Sequence, residues 1–127
     1  MNEDFLELLS SSLAADARFL VVGAYAVGVH GHPRATKHLD VWVEATPSNA
    51  PKVIDALRRF GAPLGDLDAS DLDHVGVGFK MGIPPRRIDI LTQIEGVRFV
   101  DAWPNRLDAE FADVAVLERI RAVYKAR

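Results

Sequence analysis

The sequence predicts an α/β or α+β domain, a mixed β-sheet flanked by helices. Three observations carry that prediction. Short β-rich runs at Arg18–Val22, Leu39–Val43 and Arg87–Thr92 are separated by segments with helical spacing, not grouped together. Glycines and prolines punctuate the joins between them. With 127 residues, 49% of them hydrophobic, the chain fills one domain over residues 1–127 and is too short for two.

The elements follow in order. Phe5, Leu8, Leu9 and Leu13 recur at helical spacing over residues 3–15, with Asn2 as a cap and Glu3 and Asp4 in the first turn. Arg18–Val22 is a strand that stops at Gly23. Residues 24–30 are expected to form a short helix, ended by Gly31 and Pro33. Leu39–Val43 is the second strand, closed by Thr46-Pro47. Ser48 then serves as N-cap for a helix bearing Val53, Ile54, Leu57 and Phe60, with Gly61 as its stop. Residues 62–73 are a loop. Val75–Lys80 and Arg87–Thr92 are joined by Met-Gly-Ile-Pro-Pro, short enough for an antiparallel hairpin. A helical turn near Asp101–Arg106, a weak strand at 113–116 and a terminal helix over 117–126, using Leu117, Ile120 and Tyr124, complete the expectation.

Composition excludes several classes. A net charge of −3, from 15 basic and 18 acidic residues, gives no overall positive field toward nucleic acid, so a polyanionic ligand would need local groups. Without cysteine there is neither a disulfide nor thiol chemistry. The longest apolar-leaning stretch, Phe19–Val29, is too short to span a bilayer and contains two glycines. Acidic Glu3 and Asp4 are the wrong flank for a signal peptide. The expectation is a soluble, cytoplasmic protein that makes no membrane contact.

Three features converge on chemistry. A strand running into Gly23-Ala24 at the start of a helix offers backbone N–H groups to a phosphate; its bland alternative is a tight turn. His38 and Asp40 stand two apart in a strand and so share one face, opposite Leu39, Val41 and Val43. Asp89 interrupts an apolar strand between Ile88 and Ile90. An isolated carboxylate there is costly unless it is exposed, binds metal or pairs with Arg86 or Arg87.

The order Val22-Gly-Ala-Tyr-Ala26, His30-Gly31, Arg34-Ala-Thr-Lys-His-Leu-Asp-Val-Trp-Val43 and Arg87-Ile-Asp-Ile-Leu-Thr92, with Gly96, Val97 and Phe99 after it, resembles the core of the nucleotidyltransferase superfamily. The similar branch is that of small bacterial proteins such as AbiEii-type toxins and minimal nucleotidyltransferases. The resemblance covers roughly residues 18–106. It implies a nucleotidyltransferase-like fold that binds a nucleoside triphosphate and Mg²⁺ or Mn²⁺ and transfers a nucleotidyl group to an RNA (tRNA) or protein hydroxyl. It also implies Asp40, Asp89 and His38 at the catalytic and metal positions, with Gly23, Ala24, Arg34, Thr36 and Lys37 toward the nucleotide. Asp89 would in addition orient or deprotonate the acceptor hydroxyl. In such proteins two ions about 3.5–4 Å apart activate the attacking hydroxyl and neutralise the leaving pyrophosphate.

Two positions depart from the pattern. Ala24 replaces a second small residue, a mild change. His38 stands where the family has its first aspartate; imidazole supplies one nitrogen, suits zinc, copper or nickel better than magnesium, and removes a negative charge. Impaired activity is therefore expected. The alternative is a non-catalytic binding or regulatory protein on the same scaffold, a toxin–antitoxin partner.

Other readings stay beside these. Gly23, Gly28 and Glu44 suggest a dinucleotide site, but Gly-x-Gly-x-x-Gly is missing, as is the Gly-Lys-Ser/Thr of a P-loop. His30, His32 and His38 with Asp40 would suit a tetrahedral metal, but their spacing matches no zinc signature, and His30 is expected as a buried, hydrogen-bonded core residue and His32 as an exposed turn residue. Arg34, Thr36 and Lys37 either hold triphosphate or form a solvated loop. Trp42 and Trp103 are expected to pack, although Trp42 shares the parity of Asp40 and so could also line the cleft; Arg58-Arg59 is expected on a solvated helix face.

Overall fold

The computed structural model describes residues 3–23, 38–83, 86–111 and 118–122. Helix α1 (Glu3–Ala14) turns Phe5, Leu8, Leu9 and Ser12 inward, and the Ser12 hydroxyl donates to Leu8 O at 2.9 Å, so its buried face carries no unmet polar group. The chain then enters β1 (Phe19–Val22), whose four residues are all buried.

Strand β1 pairs antiparallel with β2 (His38–Val43), which pairs in parallel with β4 (Arg87–Leu91), which pairs antiparallel with β3 (Phe79–Met81). On the other edge of β1, β6 (Glu118–Ala122) joins in parallel at Val21–Ala122 and pairs antiparallel with β5 (Leu107–Phe111). The mixed sheet therefore runs β3-β4-β2-β1-β6-β5. The architecture is α+β, as the interleaved pattern predicts.

Alternation along the strands divides the sheet's two faces. Phe19, Val21, Leu39, Val41, Val43, Ile88 and Ile90 meet α1 and α2 (Ala50–Phe60) in the main core, together with Val53, Ile54 and Leu57. Full burial of each such side chain is worth about 1.5–3 kcal/mol. The opposite face holds a smaller cluster of Leu20, Val22, Trp42 and Ala102, roofed by α3 (Phe99–Ala102) and the 3-10 turn Trp103–Asn105. That roof lies over the Trp42 end of β2. The helical turn starts two residues earlier than expected.

Helix α2 ends as its sequence implies. Gly61 adopts φ 91°, and its N–H reaches Leu57 O and Arg58 O. Its start differs from expectation: the N-cap is Asn49, not Ser48. The Asn49 side chain accepts from Arg18 N–H at 2.8 Å and donates to Arg18 O at 3.1 Å and Glu44 O at 2.9 Å. Thr46 Oγ1 receives the Asn49 N–H at 3.2 Å. The Asn49 side chain makes no cap hydrogen bond to the helix; its buried amide instead serves three backbone groups at the β1–β2 end.

Other differences have local causes. Strand β3 spans only three residues, and Val75 is exposed, because Gly76 at φ 114° breaks the extended run. The loop over 62–73 contains the 3-10 turn Ala69–Asp71, capped by Asp68, which delivers Leu72 fully into the core. The terminal helix expected over 117–126 is corrected: residues 118–122 are a strand. Arg119-Ile-Arg-Ala122 alternates with period two, and pairing with β5 satisfies a backbone that an isolated ten-residue helix would hold poorly. Strand β5 was not anticipated, and the expected strand at 113–116 lies outside the described residues. So do Asn2, the helix expected over 24–30, and Ala24, His30, His32, Arg34, Thr36 and Lys37.

Candidate metal centre

Strand register brings the chemistry together. The parallel β2–β4 pairing sets Asp40 directly beside Asp89 and His38 beside Arg87. All four side chains therefore project from the face opposite the main core. Across β3, Lys80 is the next partner of Asp89 in the same row, and across β1, Val22 is the partner of Asp40. Among the described residues, one ligand atom each from His38, Asp40 and Asp89 can be chosen so that all lie within 4.8 Å of one another. The two carboxylates thus stand together on one sheet face.

His38 Nε2 stands 3.4 Å from Asp40 Oδ2. Donors each about 2.1 Å from a common ion stand about 3.4 Å apart at the tetrahedral angle, so this pair is spaced as two ligands of one ion. The same distance also suits an imidazole–carboxylate contact. Gly23 closes the other side of Asp40. It ends β1 at φ 76°, and a Cβ built on it would come 2.5 Å from Asp40 Oδ2. Only a glycine lets the backbone approach this carboxylate so closely.

Burial raises the Asp40 carboxyl above its ordinary range; Asp89 adds to that rise, while His38 and Arg87 oppose it. Asp89 is the more enclosed of the two, at 6% exposure, and it is not alone. Arg87 Nε donates to Asp89 Oδ1 and Arg87 Nη2 to Asp89 Oδ2, each at 2.9 Å. This two-pronged pairing raises the guanidinium above its usual range. Of the two partners the sequence offered for Asp89, Arg87 is the one engaged; Arg86 instead reaches Asp4 at 3.1 Å.

The donor set can be tested against the ions that the resemblance implies. A magnesium pair does not fit these residues: it needs a shared anionic oxygen ligand where His38 offers one nitrogen, and both Asp89 oxygens accept from Arg87. One divalent ion with mixed nitrogen and oxygen ligands fits between His38 and Asp40, and reaches Asp89 once that carboxylate moves inward away from Arg87, since two bonds of about 2.1 Å bridge at most roughly 4.2 Å.

The dinucleotide alternative is not supported by the topology. It requires parallel neighbouring strands that place the glycine turn and the acidic residue at the same end. Here β1 and β2 are antiparallel, and the Glu44 N–H bonds to Arg18 O at 3.2 Å, at the end of β1 remote from Gly23. Glu44 Oε2 meets Arg18 and its Oε1 meets Thr46.

Trp42 is buried and packs edge-on to Phe99 with ring centroids 5.2 Å apart, so it is a core residue. Trp103 stacks on Phe99 and carries the Arg106 guanidinium 4.1 Å from its ring centroid. Arg58 and Arg59 are exposed, as expected, and Arg59 pairs with Asp55 at 2.9 Å. A groove of about 590 Å³ beside Trp42, Val97 and Phe99 lies at the other end of the strands from the His38 cluster.

Fold and site together define an α+β protein whose mixed sheet carries a histidine–dicarboxylate cluster on the face opposite the main core. Compared with protein-family models, curated proteins and solved structures, the chain matches none of them. No helix among the described residues is long and apolar enough to cross a membrane.

Proposed function

We propose that this chain is a nucleotidyltransferase-fold protein that binds a nucleoside triphosphate together with a divalent cation, Mn²⁺ or Mg²⁺, at His38, Asp40 and Asp89. One observation carries the proposal: Asp40 and Asp89 are direct register partners, with Gly23 pressed against Asp40. An ion bound there would supply charge neutralisation to a triphosphate. Asp40 and Asp89 would hold it, His38 would add a nitrogen ligand, and the turn at Gly23 would face phosphate. The acceptor would be an RNA or protein hydroxyl, with turnover weakened by His38.

A second reading is favoured by a separate observation. Arg87 occupies both oxygens of Asp89, and His38 withholds an anionic ligand, which suits a non-catalytic binding or regulatory protein of the cytoplasm, such as a toxin–antitoxin partner. Titration with labelled ATP, CTP, GTP and UTP in Mn²⁺ and Mg²⁺ tests both readings. Ion-dependent nucleotide binding that is lost in Asp40→Asn and Asp89→Asn is expected. Binding indifferent to the ion and to both substitutions would remove the proposal. Binding without transfer to RNA or protein would favour the second reading.

A further inference from the structure

We infer that Arg87 is a built-in competitor for the cation: it must release Asp89 before that carboxylate can ligate an ion, and so it sets the ion affinity of the cluster. This rests on reading His38, Asp40 and Asp89 as an ion site.

Geometry carries the inference. Arg87 and Asp89 lie two apart on β4, so both side chains rise from the same face, and sheet pairing on both flanks fixes the separation of their backbones. The guanidinium reaches along the strand and forks onto the carboxylate, one nitrogen to each oxygen at 2.9 Å. Asp89 is nearly enclosed, whereas Arg87 is 37% exposed, so the arginine is the partner with room to swing away. Across the register, Arg87 faces His38, and its charge is also felt at Asp40. An ion drawn in by His38 and Asp40 therefore meets a fixed positive charge on its third ligand. Two cations cannot share the inward-facing electrons of one small carboxylate without strong repulsion.

The arrangement also serves the protein when no ion is bound. Two carboxylates side by side on one sheet row repel each other, and the guanidinium offsets that repulsion. Displacement by an incoming dication restores the same balance, so the arginine and the ion are alternatives. A strongly hydrated ion gains least from such an exchange, and one that bonds well to imidazole gains most.

The experiment measures Mn²⁺ affinity of the full chain by electron paramagnetic resonance and calorimetry, for the native protein, Arg87→Gln and Arg87→Lys. Arg87→Gln is expected to bind Mn²⁺ about tenfold or more tightly, since one neighbouring positive charge is removed. Arg87→Lys keeps the charge but cannot fork, and its affinity should fall between the other two. If Arg87→Gln does not fold, tighter binding by Arg87→Lys than by the native chain supports the inference, and equal or weaker binding overturns it. Tighter binding by Arg87→Gln, or binding only in that variant, also supports it. Equal or weaker binding in Arg87→Gln, with the native protein binding Mn²⁺, overturns the inference but leaves the ion site standing; Arg87 would then steady Asp89 as a ligand. No Mn²⁺ binding by any variant overturns both.

Discussion

Gly23 and Asp40 approach so closely that the glycine's missing side chain is part of the site: a Cβ at position 23 would lie 2.5 Å from Asp40 Oδ2. The glycine also holds φ 76°, a conformation that costs other residues about 1–2 kcal/mol. Gly23→Ala is therefore expected to lower the urea midpoint and to weaken Mn²⁺ binding together. A variant with native stability and native affinity would show that the turn relaxes freely and that Asp40 does not depend on it.

The raised carboxyl of Asp40 makes a statement about pH. Its ordinary value is 3.8, and burial, the largest influence, holds the native group above that. The folded chain thus keeps this proton to higher pH than the unfolded chain does. The resulting stabilisation is complete below the ordinary value and is lost as pH rises through the native one. Asp40→Asn removes the buried charge, so its stability relative to the native protein should be higher at about pH 7 than at about pH 3. Paired denaturation curves at the two pH values check this, and a difference that does not change with pH would count against it.

His38→Asp places an anionic oxygen donor opposite Arg87 and beside Asp40. On the proposed nucleotidyl-transfer reading, losing one stabilising group of this kind costs about 10²–10³ in rate, so the substitution is expected to raise Mg²⁺-dependent transfer by that order. Labelling of tRNA, bulk RNA and protein with each nucleotide compares the two chains. Vigorous Mg²⁺-dependent transfer with His38 in place would show that this position has been misassigned.

Asn49→Ala strips three hydrogen bonds from the junction of β1, β2 and α2 and leaves backbone groups of Arg18 and Glu44 without that partner. The expected loss is about 1–3 kcal/mol in chemical denaturation, with little change in ion affinity because the junction lies at the far end of β2. A large loss of Mn²⁺ binding at unchanged stability would contradict this division.

Much of this structure is legible in residue spacing, and the exceptions share a cause. Alternation at Leu39, Val41 and Val43 against His38 and Asp40 assigns the faces of β2 before any coordinate is known, and the helical stripe of α2 is equally plain. Asp40 and Asp89 follow from parity combined with the order of motifs. The role of Asn49 was not legible, because its three partners are backbone groups, two of them 31 residues away, and no local pattern announces them. Arg87 was one of two candidates for Asp89; it stands two residues away within β4 and so shares its face, whereas Arg86 precedes the strand and meets Asp4. At 118–122, local helical spacing competed with an alternation of equal quality, and a partner strand settled the choice.

The alternation of His38 and Asp40 with Leu39, Val41 and Val43 in β2 also guards the fold against slipping. Shifting this strand by one residue against β1 and β4 would turn His38 and Asp40 into the helix-packed interior and expel Leu39, Val41 and Val43 into the polar row. A misaligned sheet would bury a carboxylate with no arginine to meet it and would forfeit three aliphatic anchors at once. The polar residues of the cluster thus disfavour the slipped register, and neutralising them should make the sheet more tolerant of wrong pairings.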